Sequence, residues 1–271
     1  MPTDFSELAG KTALVTGASS GLGVEFARQL ANAGCHLIIT ARREDRLVAL
    51  KEELATSHPE ISVDVIVMDL AGRDAAQHLY AEITGWERPV DILINNAGYG
   101  IFGWFLDSDW DELEAMIRVN TLVPQELTHL FGRDMVERGY GKVLIVSSMI
   151  GFQATPTYAA YASAKSLSMH FGEALNLEFR GSGVTCTVLS PGVTRTEFLD
   201  VAGQKVTFAQ RLMMMEGVDV VRVGLSAMLK GKANALPGWL NKTLIWSSRL
   251  TPRAWVKWVA YATMRNEDVS R

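Results

Sequence analysis

The sequence is poor in cysteine, in basic charge and in long apolar runs, and each shortage excludes a class of protein. Only two cysteines, Cys35 and Cys186, occur in 271 residues, too few for a disulfide framework or a cysteine-rich metal site. Both stand in apolar runs and are expected to be buried, reduced thiols. A net charge of −4 argues against a nucleic acid partner. No run of about 18 uninterrupted apolar residues is present, so no membrane-spanning helix is expected.

The amino-terminal segment MPTDFSELAG is acidic and has no long apolar run. It predicts neither a signal peptide nor an anchor, and the cytoplasm is the default compartment. The remaining composition, 48% hydrophobic and 21% charged, is that of an ordinary globular protein.

Short apolar runs alternate with helical patterns along most of the chain. We predict strands at 13–17, 35–41 and 61–70, helices at about 21–33 and 44–56, and later strands in VDILINNAG, KVLIVSS and VTCTVLSPG. Continuous Val/Ile/Leu runs between helices favour a parallel sheet covered on both faces. With no internal repeat, the sequence predicts one α/β domain.

A glycine-rich turn, TGASSGLG, follows the first strand and opens the first helix. Its glycines allow a sharp turn and a close approach of backbone amides to a pyrophosphate, and the helix start adds partial positive charge. The spacing differs from G-x-G-x-x-G, and Val24 and Glu25 replace the Lys and Ser/Thr of an NTPase loop. The alternative is a tight turn without a ligand.

Six motifs in order resemble the short-chain dehydrogenase/reductase family, from about Lys11 to Pro237. They are the glycines Gly17, Gly21 and Gly23, then Asn95-Asn96-Ala97-Gly98, Asn120, Ser148, Tyr161 with Lys165, and Pro191-Gly192. The resemblance implies a Rossmann-type doubly wound parallel sheet of about seven strands in a catalytic domain at 1–237. It also implies a lid at about 193–217, a carboxyl-terminal extension at 238–271 and homo-oligomers, dimeric or tetrameric.

The family's site residues carry over at the matching positions. The resemblance implies a catalytic set of Asn120, Ser148, Tyr161 and Lys165, and no metal. The implied cofactor contacts are Gly17, Ser19, Ser20, Gly21, Leu22, Gly23, Arg42, Asp69, Asn96, Ala97, Gly98, Tyr161, Lys165, Pro191, Gly192, Val193, Thr194 and Thr196. For Asp69, capping of its own turn is the alternative role.

The end of the second strand bears on the choice of nicotinamide cofactor. An acidic side chain there suits the ribose 2′-hydroxyl of NAD, whereas arginine suits a 2′-phosphate. Here Ala41 is followed by Arg42 and Arg43, and a guanidinium holds a phosphate with two charge-assisted hydrogen bonds. We therefore predict NADP(H) rather than NAD(H), with Arg42 as main ligand. The alternative is that both arginines are solvated charges paired with Glu44 and Asp45.

The segment TPTYAAYASAK contains two tyrosines, and only one has a lysine four residues later. On a helix, Tyr161 and Lys165 share a face, and a nearby ammonium together with the positive ring of oxidised nicotinamide is expected to lower the pKa of the tyrosine. Tyr161 also follows Ser148 by 13 residues, the family's separation. The implied reaction joins hydride transfer from NADPH to a carbonyl with protonation by Tyr161, while Ser148 positions the oxygen. Tyr158 is expected to line the pocket or to pack.

Helical periodicity continues from Asp111 to Glu137 although Pro124 interrupts it. A proline cannot donate to the carbonyl four residues earlier, which belongs to Asn120. In the family this main chain holds a water that relays protons from the lysine. We hypothesise that Pro124 helps to free the Asn120 carbonyl; the alternative is a kink with packing value only.

The region after Pro191-Gly192 is expected to form the substrate side. Candidates for an adaptable apolar pocket are Phe198, Leu199, Phe208, Leu212 and Met213 to Met215, with Phe102, Phe105 and Phe152 nearer the nicotinamide. Packing is the alternative role for each. Together they favour a small hydrophobic carbonyl or alcohol substrate.

The carboxyl-terminal part is basic and rich in tryptophan. From Val220 to Asn266 there are eight Lys/Arg and no Asp/Glu, and Trp239, Trp246, Trp255 and Trp258 lie there. Such a segment covers the cleft, packs on another subunit or lies peripherally on a membrane.

Three functions remain open. The first is an NADP(H)-dependent carbonyl reductase or alcohol dehydrogenase. The second is a 3-ketoacyl-thioester or hydroxysteroid reductase, and the third is a non-catalytic NADP(H)-binding regulator.

Overall fold

The protein is described by a computed structural model that covers residues 4–86, 88–204, 211, 213–248 and 250–264, with backbone only at 199, 200, 263 and 264. Among these residues, seven strands form one parallel sheet in the order β3-β2-β1-β4-β5-β6-β7. They are β1 (Thr12–Thr16), β2 (His36–Ala41), β3 (Val63–Val67), β4 (Ile92–Asn95), β5 (Gly141–Val146), β6 (Val184–Leu189) and β7 (Asn234–Ala235). The predicted doubly wound sheet is confirmed.

Helices join successive strands, as parallel pairing requires. They are α1 (Gly21–Asn32), α2 (Glu44–Ser57), α3 (Ala75–Thr84), α4 (Trp110–Asn120), α5 (Leu122–Arg138), α6 (Ala159–Glu178), α7 (Phe198–Ala202), α8 (Gly217–Leu229), α9 (Trp239–Ser248) and α10 (Arg253–Met264). Short 3-10 turns occupy Ser6–Leu8, Phe105–Asp107 and Met149–Phe152. Within the described part of the chain, no helix is both long enough and apolar enough to cross a bilayer.

Both faces of the sheet are covered by apolar side chains. On one face α1, α2 and α8 contribute fully buried residues such as Phe26, Leu47 and Leu225. On the other, α3 and α5 contribute Leu79 and Leu127. The strands are therefore apolar along their length instead of alternating, which explains the sequence pattern. Cys35 and Cys186 are free and buried, as predicted.

The strand order reverses between β1 and β4, and ligands of such sheets bind at this point. Side chains hold the two strand ends together. The Thr16 hydroxyl donates to the Ile94 carbonyl (3.2 Å) and accepts from the Asn96 amide (3.0 Å). The Asn96 side chain donates to the carbonyls of Thr16 (2.9 Å) and Gly17 (3.3 Å). The glycine turn after β1 is thus fixed against the end of β4.

The helical region at 111–137, where Pro124 interrupts the periodicity, is two helices. Thr121, with φ −126° and ψ −63°, separates α4 from α5. Pro124 lies in the first turn of α5, where backbone N–H groups have no acceptor within the helix, so its missing N–H removes no helical hydrogen bond. The break therefore falls three residues before the proline.

Candidate active site

A cavity of about 370 Å³ opens at the carboxyl ends of the central strands. The predicted cofactor-binding residues that line it are Gly17, Ser19, Ser20, Gly21, Leu22, Arg42, Asp69, Asn96, Ala97, Gly98, Tyr161, Lys165, Pro191, Gly192, Val193, Thr194 and Thr196. Ser148 lines it as well. Gly23 and Asn120 are buried behind the wall rather than in it.

The glycine turn fits a ligand that backbone must approach closely. Gly17 and Gly21 have φ of +69° and +55°, which side chains other than glycine rarely adopt. A Cβ on Gly17 would lie 2.8 Å from the Ala97 Cα, and one on Gly23 would overlap the Gly17 carbonyl. The turn leads directly into α1, whose first amides face the cavity with partial positive charge. These features suit the pyrophosphate of a dinucleotide.

Two arginines border the far end of the cavity, and they differ in their contacts. Arg43 donates through Nε to the Ser19 hydroxyl (3.2 Å) and through Nη2 to the Ser19 carbonyl (3.3 Å). Arg42 is exposed and borders the cavity without such a bond to the glycine turn among the described contacts. Arg43 is thus the guanidinium fixed to the glycine turn, a position that the sequence did not assign to it.

A carboxylate from the segment after β6 reaches Arg43 and Arg46. Glu197 accepts from Arg46 at 2.8 and 2.9 Å and from Arg43 at 3.3 Å. The hydrogen bond from Arg46, supported by Arg43, lowers the pKa of Glu197. This ion-pair cluster connects α2 to the start of the predicted lid. Glu197 was missed because its partners lie 151 and 154 residues away in sequence.

Asp69 follows β3 and borders the same end of the cavity. Its Oδ1 accepts the Ala71 amide at 3.0 Å, and its carbonyl accepts the Gly72 amide at 3.3 Å. The turn-capping role is therefore present, and its position also leaves it facing the cavity.

Tyr161 and Lys165 lie one turn apart near the start of α6, and both are buried. Three contacts fix this turn. The Ser147 hydroxyl donates to the Lys165 carbonyl (2.7 Å), Lys165 Nζ donates to the Val146 carbonyl (2.8 Å), and the backbone of Gly151 packs on that of Lys165. The end of β5 therefore fixes the position of Tyr161 beside the cavity. Both Ser147 and Ser148 border the cavity; the Ser147 hydroxyl is bound to the Lys165 carbonyl, and the Ser148 hydroxyl lies 3.5 Å from the Pro191 carbonyl.

The electrostatics of this pair differ from the sequence expectation. Burial raises the pKa of Tyr161 above its ordinary value, the Tyr158 hydroxyl adds to the rise, and a hydrogen bond with Ser148 opposes it. Burial also lowers the pKa of Lys165 to about 7. The Lys165 ammonium lies 5.7 Å from the centroid of the Tyr161 ring. Without the nicotinamide, the lysine does not lower the tyrosine pKa as expected, because desolvation of Tyr161 is the largest contribution. The lowering expected from the ammonium together with the oxidised nicotinamide ring stays a prediction.

Asn120 ends α4 behind the cavity wall. Its Nδ2 donates to the carbonyls of Tyr99 (2.9 Å) and Met116 (2.8 Å), while its Oδ1 is buried without a partner. Its carbonyl, which Pro124 cannot reach, accepts the Ser168 hydroxyl at 2.6 Å. The carbonyl is thus outside the helical hydrogen-bond pattern, as hypothesised. It instead accepts a hydrogen bond from Ser168, which lies on α6.

The segment before α6 shows strain that the sequence did not reveal. Thr157 has φ +67°, a genuine outlier for a β-branched residue, and its carbonyl accepts the Gly103 amide at 2.9 Å. The next residue, Tyr158, is buried, lines the cavity and donates to Gln204 Oε1 at 2.9 Å. Strain of this kind persists where surrounding contacts enforce it, and here it fixes Tyr158 beside Tyr161.

Only part of the predicted substrate side lines the cavity. Phe198 does, with its ring 5.5 Å from that of Tyr161, and Phe102 packs 5.2 Å from Tyr158 behind it. Other candidates do not line it: Phe105 is exposed, Phe152 is partly buried, and Met213 to Met215 are partly buried, with Met215 packed against the core of the α1 face. The remaining candidates, Phe208, Leu212 and the Leu199 side chain, lie outside the described residues.

Helix α9 packs on the cavity wall from outside. Asn241 is buried, donates to the Pro237 carbonyl at 2.9 Å and fills the space where a Cβ on Gly192 would lie. The helix also contacts the turn at Met149–Phe152. The first helix of the extension therefore supports the loops that follow β5 and β6.

Residues 11–207 match the family described as short chain dehydrogenase. A short chain dehydrogenase from Pseudocercospora fijiensis is 34% identical over 212 residues, covering 78% of this chain and 68% of that protein. Ketoacyl reductase HetN from Nostoc sp. is 29% identical over 231 residues, covering 85% and 78%. The solved structure of a short-chain dehydrogenase from Sphingobium yanoikuyae in complex with NADPH has a TM-score of 0.79 at 28% identity, covering 89% and 94%. The family match spans β1 to β6 and the residues that line the cavity.

Proposed function

We propose a reaction for this chain, which belongs to the short-chain dehydrogenase/reductase family and is an NAD(P)-dependent oxidoreductase. In this proposal it interconverts an apolar ketone or aldehyde and its alcohol with NADP(H). The observation that carries the proposal is the arrangement of one cavity. Ser148, Tyr161 and Lys165 border it together with the glycine turn and two arginines.

The roles of the chain's own groups follow from their positions. Ser148 orients the carbonyl oxygen, and Tyr161 transfers the proton to or from that oxygen. Lys165 and Asn120 are positioning residues that set the tyrosine's surroundings, since Lys165 lies beneath its ring and Asn120 holds α6 through Ser168. A bound nicotinamide supplies the hydride. Phe198 and Tyr158 make the substrate end apolar and aromatic.

The preference for NADP(H) rests on charge. Arg42 and Arg43 follow β2, and no Asp or Glu stands between Thr40 and Arg43 to bind a 2′-hydroxyl. The fixed position of Arg43 against Ser19 makes it a phosphate ligand beside Arg42. The NADPH complex of the Sphingobium yanoikuyae relative supports this choice.

The domain division and assembly complete the proposal. Residues 1–237 form the catalytic domain, residues 238–271 form an extension that begins with α9, and copies of the chain associate as homo-oligomers. A 3-ketoacyl thioester is the second candidate substrate, supported by the likeness to ketoacyl reductase HetN.

The test is a panel of apolar ketones, aldehydes and ketoacyl thioesters with NADPH and with NADH. We expect turnover of apolar carbonyls with a higher kcat/KM for NADPH. NADPH binding without turnover across the panel would contradict the proposal and support a non-catalytic regulator.

A further inference from the structure

The carboxyl-terminal helices expose their largest apolar side chains. Trp239, Trp246, Trp255 and Trp258, here called the tryptophan surface, are each between 65% and 74% exposed. Leu244 and Leu250 nearby are also exposed. Tryptophan is usually well buried in a folded domain, and a set of exposed large apolar groups marks an interaction site.

Each helix separates a packed side from this surface. In α9 the buried residues are Asn241 and Ile245, whereas Trp239 and Trp246, seven residues apart, share the opposite side. In α10 Ala260 is buried, while Trp255 and Trp258, three residues apart, project from the other side. The packed sides attach the helices to the fold, and among the described contacts Trp258 alone of the four tryptophans has a ring contact, with Tyr261.

Charge identifies the occupant of the surface. From Gly238 to Met264 the sequence contains Lys242, Arg249, Arg253 and Lys257 and no acidic residue. A second copy docked through the same surface would bring like charges together, which disfavours that pairing. An anionic lipid surface attracts the basic groups and accepts indole rings at the level of its headgroups.

The tryptophan surface adjoins the segment at 104–107, which follows the cavity-lining residues Gly98 and Tyr99 in the chain. The Trp258 ring lies 6.2 Å from that of Tyr261, which lies 6.1 Å from that of Trp104. Trp104 precedes the turn at Phe105–Asp107, where Phe105 and Leu106 are exposed. We propose that the tryptophan surface, with its flanking basic residues, binds the headgroup region of an anionic membrane and places the substrate end of the cavity toward the lipid. The membrane binding is independent of the proposed function, and only the identification of one end of the cavity as the substrate end rests on it.

Flotation of the full chain with vesicles tests this proposal. We expect the protein to float with vesicles of phosphatidylcholine and phosphatidylglycerol in equal parts, to float less with phosphatidylcholine alone, and to be released by high salt. The double variant Trp255→Gln/Trp258→Gln should lower the bound fraction about tenfold. Trp86→Gln is the matched control, because this exposed tryptophan precedes β4 and lies near the amino ends of the strands, whereas the cavity opens at their carboxyl ends. This variant should float like wild type.

A second measurement uses the wild-type chain alone. Brominated phosphatidylglycerol should quench tryptophan fluorescence if indoles enter the lipid. Absence of flotation or of quenching would overturn the proposal, as would equal flotation of the double variant. A dimer that the double variant converts to monomers, with no vesicle binding by either protein, would show instead that the surface joins two copies. None of these outcomes depends on NADPH turnover, so failure here leaves the proposed reaction intact.

Discussion

The cavity at the ends of β1 and β4 differs from helices α9 and α10 in how closely its residues are packed. Around the cavity, backbone atoms lie so close that a single methyl group on Gly23 would overlap a carbonyl, and Tyr161 and Lys165 are buried. On α9 and α10, four indole rings project from the fold. Residues of the first region are constrained by contacts inside the chain, whereas we propose that the tryptophans of the second contact a membrane. Substitutions should therefore act through different observables in the two regions.

The largest effect is expected at Tyr161. Tyr161→Phe removes the hydroxyl that exchanges the proton, so kcat should fall about 10³-fold while cofactor affinity is unchanged. The matched variant Tyr158→Phe breaks only the hydrogen bond to Gln204 and should change KM more than kcat. Steady-state kinetics and a fluorescence titration with NADPH measure both. If Tyr158→Phe abolished turnover and Tyr161→Phe did not, the assignment of the two tyrosines would be reversed.

Gly23 tests the close packing under the cofactor. A Cβ there would meet the Gly17 carbonyl and Asn96 Nδ2, so Gly23→Ala should reduce the free energy of unfolding by about 1–3 kcal/mol and weaken NADPH binding. Gly217→Ala is the control, since its Cβ would meet only Leu22 Cδ2, at 3.7 Å. Urea unfolding with and without NADPH compares them. Equal behaviour of the two variants would contradict the account of the glycine turn.

Lys165 gives a prediction for the pH dependence of stability. Its pKa is lowered from the ordinary 10.5 to about 7, so between these values the unfolded chain binds more protons than the folded one. For this group the free energy of unfolding therefore rises with pH through that window. Lys165→Met removes this contribution. Its free energy of unfolding should exceed that of wild type most at pH 7 and below, and the difference should shrink by on the order of a few kcal/mol towards pH 10.5.

Urea unfolding over a pH series measures this difference, with Lys51→Met on the exposed side of α2 as control. A difference between Lys165→Met and wild type that stays constant with pH would show that burial does not depress the pKa of this lysine.

The smallest effect is expected at Glu197. Glu197→Gln removes the charge that pairs with Arg43 and Arg46. This frees Arg43, which borders the cavity, for a 2′-phosphate, so affinity for NADPH should rise about threefold and affinity for NADH should not change. Glu53→Gln breaks an equally exposed ion pair, with Arg28, and should affect neither. A parallel change in both affinities would show that Glu197 acts on the lid and not on the phosphate.

The sequence predicted what local patterns determine. Strand types, the glycine turn and the Tyr161–Lys165 spacing are properties of short segments, and the structure has them at the predicted places. The roles assigned to the site residues stay predictions. Contacts between distant segments were not foreseen: Glu197 meets Arg46, and Asn241 packs on Gly192. The rise in the pKa of Tyr161 was not foreseen for the same reason, because desolvation depends on the whole fold.

One measurement tests most directly whether this cavity transfers hydride to a carbonyl. NADPH carrying deuterium at the transferable position of the nicotinamide is incubated with the wild-type chain and an apolar ketone that it turns over, and the product is examined by mass spectrometry and NMR. The account predicts an alcohol with one deuterium on the former carbonyl carbon, and none formed by Tyr161→Phe. An alcohol without deuterium at that carbon, or unchanged product from Tyr161→Phe, would contradict it.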